Sequence, residues 1–256
     1  MIVASFNING IKARLPALLQ WLEEARPDVA LLQEIKSVDE GFPRQPIEDL
    51  GYNVETHGQK GFNGVAILSR RPLEDVTRGL PGDPEDEQAR YIEATVEGAR
   101  ICGLYLPNGN PAPGPKHDYK LAWMERLRTR AQDLLASEQP FLMAGDFNII
   151  PQAEDAARPD AWRDDALFRL DSRDAWRRIV NLGLTDALRA TSAAPRTYTF
   201  WDYQAGARQR DDGIRIDHVL LSPQLADRLV SCEIDAHVRD RDKPSDHVPI
   251  KVTLDL

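Results

Sequence analysis

Several polar residues stand at the edges of apolar runs, where a strand delivers its last side chain to a rim. Asn7 follows IVASF, Glu34 follows VALLQ, Asp146 and Asn148 follow FLMAG, and Asp246-His247 precede VPIKV. Tyr105 closes ICGLY just ahead of Pro107-Asn108-Gly109, and Asp217 lies inside IRIDHVLL. Strand alternation puts Asp217 on the face of Val219 and Leu221, opposite Ile214, Ile216 and Leu220. These residue types suit phosphodiester cleavage, which needs charge neutralised on the phosphoryl oxygens, a water activated, and both held in line. A hard oxygen ligand such as Glu34 suits Mg²⁺, which takes few carboxylates and keeps several waters. Asp146 can orient or deprotonate the water, with Asn148 fixing its position. His247, held by a carboxylate such as Asp217, can meet the scissile phosphate as a cation or donor. Tyr105 and Asn7 add donors for phosphoryl oxygens or ligands. No Cys/His cluster is present, which argues against zinc.

Taken singly, each residue also has an ordinary structural use. A Glu after a strand is commonly a loop or cap residue, and Gly-Asp-x-Asn is often a turn in which Asp and Asn bond their own backbone. Asp217 has Arg215 two positions away as a pairing partner. His247 alone reads as a structural histidine and Tyr105 as a strand-end aromatic. The chemistry rests on the set.

Positioning such a set requires interleaved strands and helices. Ile2–Phe6, Val29–Gln33, Val65–Leu68, Tyr91–Val96, Ile101–Leu106 and Phe141–Ala144 read as strands. The spacing of Ile11, Leu15, Leu18, Leu19 and Leu22 predicts a helix, with Pro16 near its start, where proline is tolerated. Lys120–Leu135 and Asp174–Leu182 are further helices, the second ended by Gly183. The last third reads as strands at Thr197–Tyr203, Ile214–Leu221, Glu233–Val238 and Val248–Leu254. Neither Pro107–Pro115 nor Pro151–Asp165 is long enough to link domains. One α-plus-β domain over residues 1–256 follows, with strands in two sheets and helices outside.

The 256 residues carry 41 acids and 32 basic groups, a net charge of −9. Much of it is local: residues 74–88 hold six acids and one arginine, and 151–175 seven acids and four arginines. Local potential decides whether a polyanion approaches, so the acidity does not exclude nucleic acid. Composition excludes a disordered or fibrous chain. No apolar run approaches the ~18 residues of a membrane span, so no membrane role is expected. The start, MIVASFNING, lacks the marks of a cleavable signal, and a reduced cytoplasmic setting is expected.

In chain order stand SFNINGIKAR, LLQEIK, GQKGFNGVAILS, LYLPNGN, GDFNIIPQAED, YTFWDY, GIRIDHVLLS and KPSDHVP. The series resembles the exodeoxyribonuclease III family of apurinic/apyrimidinic endonucleases, within the deoxyribonuclease I-like endonuclease/exonuclease/phosphatase superfamily. The resemblance implies a four-layer α/β/β/α sandwich of two packed, mostly antiparallel sheets flanked by helices. By position it implies that Glu34 is the principal metal ligand, with Asn7 and Asp246 close to the metal. Tyr105, Asn148 and His247 would hold the phosphate, Asp146 activate the water and Asp217 orient His247. Phe200, Trp201 and Ile216 match the wall of a pocket for a flipped-out abasic sugar. Gln204 matches a residue that wedges into DNA, and Lys60, Arg90, Lys116, Lys120, Arg208 and Lys243 flank the motifs as candidates for backbone contacts.

Two positions depart from the pattern: Asn9 replaces an acid of some relatives, and Ile214 an aromatic. The expected activity is Mg²⁺-dependent (Mn²⁺ as substitute) incision 5′ to abasic sites and trimming of 3′ ends. The expected partner is double-stranded DNA with abasic sites or blocked 3′ ends, met by a monomer. The same chemistry could serve an inositol phosphate or a lipid, for which no amphipathic basic stretch is found. A catalytically silent DNA-binding module is the third reading. Loss of charged site residues would mark it, since buried carboxylates are costly without a metal or partner.

Overall fold

Residues that alternate between two buried faces read as unbroken apolar runs, and most strands here are of that kind. In the computed structural model, which describes residues 1–256, the strands of the first sheet are β1 (Ile2–Asn7), β2 (Val29–Gln33), β3 (Asn53–His57), β4 (Val65–Ser69), β11 (Leu229–Ile234) and β12 (Ile250–Leu254). Those of the second are β5 (Glu74–Arg78), β6 (Tyr91–Val96), β7 (Ala99–Tyr105), β8 (Phe141–Asp146), β9 (Thr185–Asp186) and β10 (Asp217–Leu221). Their orders are β11-β12-β1-β2-β4-β3 and β5-β6-β7-β8-β10-β9. Only β1–β2 and β7–β8 pair in parallel. The helices are α1 (Ile11–Ala25), α2 (Arg44–Glu48), α3 (Pro115–Ala136), α4 (Leu170–Val180), α5 (Ala187–Thr191) and α6 (Pro223–Ala226).

Alternation divides the core into layers. Val3, Val29 and Leu31 meet Leu142, Ala144 and Val219 between the sheets. The intervening Ala4, Phe6, Ala30 and Leu32 face outward against Ile11, Leu18, Trp21 and Leu22 of α1. On the far side, Phe141, Met143 and Leu220 pack under Trp123, Met124 and Leu127 of α3 and Trp176 of α4. Helix, sheet, sheet, helix is the order the family resemblance implied.

Several local expectations need correction. Thr197–Tyr203 forms no strand; it crosses the rim and makes only isolated bridges, Phe200 to Ile214 and to His247. The run read at Glu233–Val238 is the end of β11 followed by a 3-10 turn over Ala236–Asp240. Pro16 lies in the second turn of α1, where it removes the amide that would meet the Lys12 carbonyl. It is tolerated because that stretch is exposed to water. Strands β3 and β5 were not anticipated: as sheet edges they carry polar, partly exposed sequences.

The entry to β10 is pinned by a buried guanidinium. Arg215 donates from Nε to Asp155 Oδ1 (2.7 Å) and from Nη1 to Asp186 Oδ2 (2.9 Å). Arg215 and Asp155 are almost wholly buried. Arg215→Ala leaves Asp155 short of its main countercharge and is expected to destabilise the protein by about 3–5 kcal/mol. Urea unfolding should show a lower midpoint at unchanged m; a change below about 1 kcal/mol would mean that Arg189, which also reaches Asp155, suffices.

Candidate active site

Strand direction gathers the polar residues at one end of the sandwich. The carboxyl ends of β1, β2, β7 and β8 and the amino ends of β10 and β12 share that rim. Across the second sheet, Tyr105, Asp146 and Asp217 are register partners in one row. Gly145 makes the row possible. A Cβ there would lie 1.9 Å from the Leu104 carbonyl oxygen, so β7 and β8 approach this closely only around a glycine. In the first sheet Asn7 pairs with Gln33, which brings Glu34 beside it. Glu34 has φ of 50°, the left-handed region that costs a non-glycine residue roughly 1 kcal/mol or more. Backbone bonds hold it there, from Gly10 N to the Glu34 carbonyl (2.7 Å) and from Ile35 N to that of Gly64 (3.1 Å).

The two sheets meet through side chains. Asn7 Nδ2 donates to Glu34 Oε1 and to Asp146 Oδ2, both at 2.9 Å. His247 Nδ1 lies 2.8 Å from Asp217 Oδ2, and Nε2 lies 3.6 Å from Asp146 Oδ2. Asp217 therefore pairs with His247, and not with Arg215. Asp146 Oδ1 accepts from the Asn148 amide at 2.8 Å. Glu34, Asp146 and His247 each offer a ligand atom within 4.8 Å of the others, a cluster that can hold a metal ion. Two of the three are carboxylates, so the set suits a hard divalent cation that prefers oxygen ligands.

Electrostatics sharpen the contrast among these groups. Burial would hold His247 neutral, but the charges of Asp217 and Asp146 overcome it and raise its pKa. Burial, with the nearby charges of Asp217 and Glu34, drives the Asp146 carboxyl up against the pull of His247. Glu34 feels burial too. The Asn7 bond and the Lys36 ammonium, 3.0 Å away, outweigh it and hold its carboxyl below the usual range. Burial and the charges of Glu34 and Asp146 keep the Tyr105 phenol protonated.

Beside these groups is a recess of about 180 Å³ with Trp162, Leu167, Phe200, Ile214 and Ile216 as its apolar lining. Tyr105, Asn108, Asn110, Asn148, Asp165 and Asp246 also line it. The Phe200 and His247 rings meet edge to face at 5.0 Å. Trp201 does not reach the recess. As the neighbour of Phe200 it turns the other way and packs on Tyr198, Ala207 and Val248. Asn7, expected to donate to ligands and to lie close to the metal, gives both amide hydrogens to the carboxylates of Glu34 and Asp146, and its side-chain carbonyl accepts from Asn9 N. Asp246 sits nearby, its Oδ1 accepting from Asn9 Nδ2 at 3.0 Å.

Among the expected DNA contacts, Lys60, Lys116, Gln204 and Lys243 are exposed. Arg90 lies over the Tyr105 ring, 4.8 Å from its centre. Arg208 is half-buried, paired with Asp240 and stacked on Trp201. Lys120 is a correction: it is fully buried and its Nζ donates to the Asn108 and Asn148 carbonyls, out of reach of any backbone phosphate. Residue-by-residue reading missed Asn110, Trp162 and Asp165. Asn110 stood inside the LYLPNGN block as a signal, whereas Trp162 and Asp165 lie in a Pro/Asp/Ala-rich stretch with no pattern.

Buried acids, a carboxylate-held imidazole and an adjoining recess with one apolar wall suit the hydrolysis of a phosphoester whose neighbouring group enters the recess. A model of the Endonuclease/Exonuclease/phosphatase family matches residues 4–247, and the chain belongs to that family. It is similar to an exodeoxyribonuclease III of Haemophilus influenzae, 37% identical over 96% of this chain and 97% of that one. Its fold matches an AP endonuclease from Archaeoglobus fulgidus with a TM-score of 0.96 at 38% identity, covering 100% of both chains. It matches equally a 3′ phosphatase, NExo, from Neisseria bound to a product DNA hairpin, with a TM-score of 0.97 at 36% identity, again over 100% of both. The family read from the eight motifs is borne out.

Proposed function

We propose that this protein is a metal-dependent DNA phosphodiesterase of base excision repair that incises 5′ to abasic sites and trims blocked 3′ ends. The observation that carries the reading is the rim itself: Glu34, Asp146 and the His247–Asp217 pair converge beside a recess sized for a sugar. The names of its relatives point the same way. Mg²⁺ is the proposed ion, with Mn²⁺ as a substitute. Glu34 would be its main protein ligand, with Asp246 close by. When bound, the ion supplies positive charge to the phosphoryl oxygens. Asp146 takes the proton of the attacking water as its oxygen bonds phosphorus and the P–O3′ bond breaks. His247, fixed by Asp217, donates to a non-bridging phosphoryl oxygen, and the departing O3′ takes its proton from solvent. Tyr105 and Asn148 complete the cradle, and Phe200 and Ile216 receive the extruded sugar. The protein acts as a monomer in a single folded unit. The buried, unpaired Cys102 and Cys232 fit a reducing compartment.

The test is incision of a duplex with one abasic site, run beside nicked and intact duplexes, with Mg²⁺ and with chelator. Cleavage 5′ to the site that stops on chelation is expected. Cleavage that survives chelation, or a preference for a lipid or inositol phosphate, would overturn the reading. Phe200→Ala removes an edge-to-face contact to His247 and part of the sugar wall. Its kcat/KM on the abasic duplex should fall by about five- to tenfold, as loss of ~1 kcal/mol implies. Unchanged kcat/KM would place the sugar elsewhere.

A further inference from the structure

Lys120 is the only lysine among the buried residues, and none of its side chain reaches solvent. It lies on the inward stripe of α3 with Trp123, Met124 and Leu127. The amine meets no carboxylate. Its Nζ donates to two backbone carbonyls, that of Asn148 at 2.6 Å and that of Asn108 at 3.1 Å. These residues lie near the start of separate motif loops, one after β7 and one after β8. Their side chains are joined as well: Asn108 Nδ2 donates to Asn148 Oδ1 at 3.3 Å, and Asn148 Nδ2 to the Leu106 carbonyl at 2.9 Å. Asn148 is held at φ of 47°. Room for the lysine is provided by Gly109, whose missing Cβ would lie 2.6 Å from Lys120 Cδ.

A buried amine is a costly way to fill a core, and an apolar residue of like volume is often as stable or more so. Burial lowers the Lys120 pKa to about 7, with Asp146 and Asp165 partly opposing. Both charge states keep the two N–H donors that the carbonyls need. The arrangement therefore serves the loops.

We propose that Lys120 is a positioning residue that clamps the Asn108 and Asn148 backbones together, setting their side chains at the spacing that holds the scissile phosphate. The proposal rests on the reading of the rim as a DNA phosphodiesterase site. A side chain displaced by about 1 Å at such a site can cost as much as 10²-fold in rate.

The experiment is a two-by-two cycle of Lys120→Met and Asn148→Ala on the full chain, with kcat and KM measured on the abasic duplex. Thermal unfolding is followed in parallel. Lys120→Met should lower kcat by roughly 10- to 100-fold with KM little changed. In the Asn148→Ala background the same change should cost under about threefold, because the two act through one geometry. Lys120→Gln, which retains two N–H donors on a shorter arm, should recover part of the loss. Three results overturn the proposal: a Lys120→Met enzyme at wild-type kcat, a full independent loss in the Asn148→Ala background, or unfolding of both Lys120 variants, which would make the lysine a scaffold element. A wild-type protein that fails to cut the duplex is a separate outcome and sinks the phosphodiesterase reading itself.

Discussion

Asp146→Asn is expected to lower turnover on an abasic duplex by roughly 10²–10⁴-fold, the contribution of a positioned general base. Asp146 is buried at the end of β8, with Oδ1 fixed by the Asn148 amide and Oδ2 by Asn7. Asparagine keeps the shape but has no lone pair basic enough to take a proton from water. The fold should tolerate the change. Because burial raises the Asp146 pKa, its ionised form is disfavoured in the native state. Above the unfolded-state pKa the protein then gives up stability to keep the carboxylate charged, and the amide removes that cost. The unfolding midpoint should move little while activity collapses, because relief of that cost is offset where the new amide nitrogen faces the Asn7 Nδ2 donor. Equilibrium binding of the duplex, measured by fluorescence anisotropy, should change only a few-fold. Turnover within about fivefold of wild type would remove Asp146 from the role of base.

His247→Ala is expected to lower turnover by about 10²–10³-fold, the usual cost of losing one transition-state donor. Here stability should fall as well. Asp217 is fully buried, its Oδ2 is held by His247 at 2.8 Å, and its Oδ1 has no partner. Deleting the imidazole strands that carboxylate, at a cost of about 3–5 kcal/mol. Activity must therefore be read well below the variant's unfolding temperature. His247→Gln gives a check with less cavity, since its amide can face Asp217 yet carries no charge to the phosphate. If His247→Gln turns over near the wild-type rate, the cationic donor role is wrong. The sign of any pH effect follows from the raised pKa of His247. Its ion pair stabilises the fold fully below the unfolded histidine value, near 6.5, and is lost as pH climbs through the raised one.

Strands buried on both faces were legible, and β2 and β6 start and stop where their apolar runs do. Edge strands were not, since NVETH and EDVTR satisfy a ladder on one side only and need no apolar face. YTFWDY misled through composition. Its aromatic and β-branched residues read as a strand, yet they wall a recess and plug a small core instead. Layer order was also beyond local pattern, because an amphipathic helix announces that it has an inner face but not which sheet lies under it. At the site, alternation placed Asp217 correctly between the sheets, and strand ends located Glu34, Asp146 and His247. Lys120 was misread for a concrete reason. A lysine that flanks the motifs reads as a solvated charge, whereas Lys120 points inward from α3 with Met124 and Leu127.

The His247–Asp217 and Asn7–Asp146 bonds each join one sheet to the other. Their lengths are consequently governed by the thickness of the Val, Ile, Leu and Ala layer sandwiched beneath. Ala144, two residues before Asp146 on the inner face of β8, is the natural place to insert a shim. Extra methyl groups at that depth would pry imidazole from carboxylate without touching either, so drift in this greasy spacer can retune the enzyme from a distance.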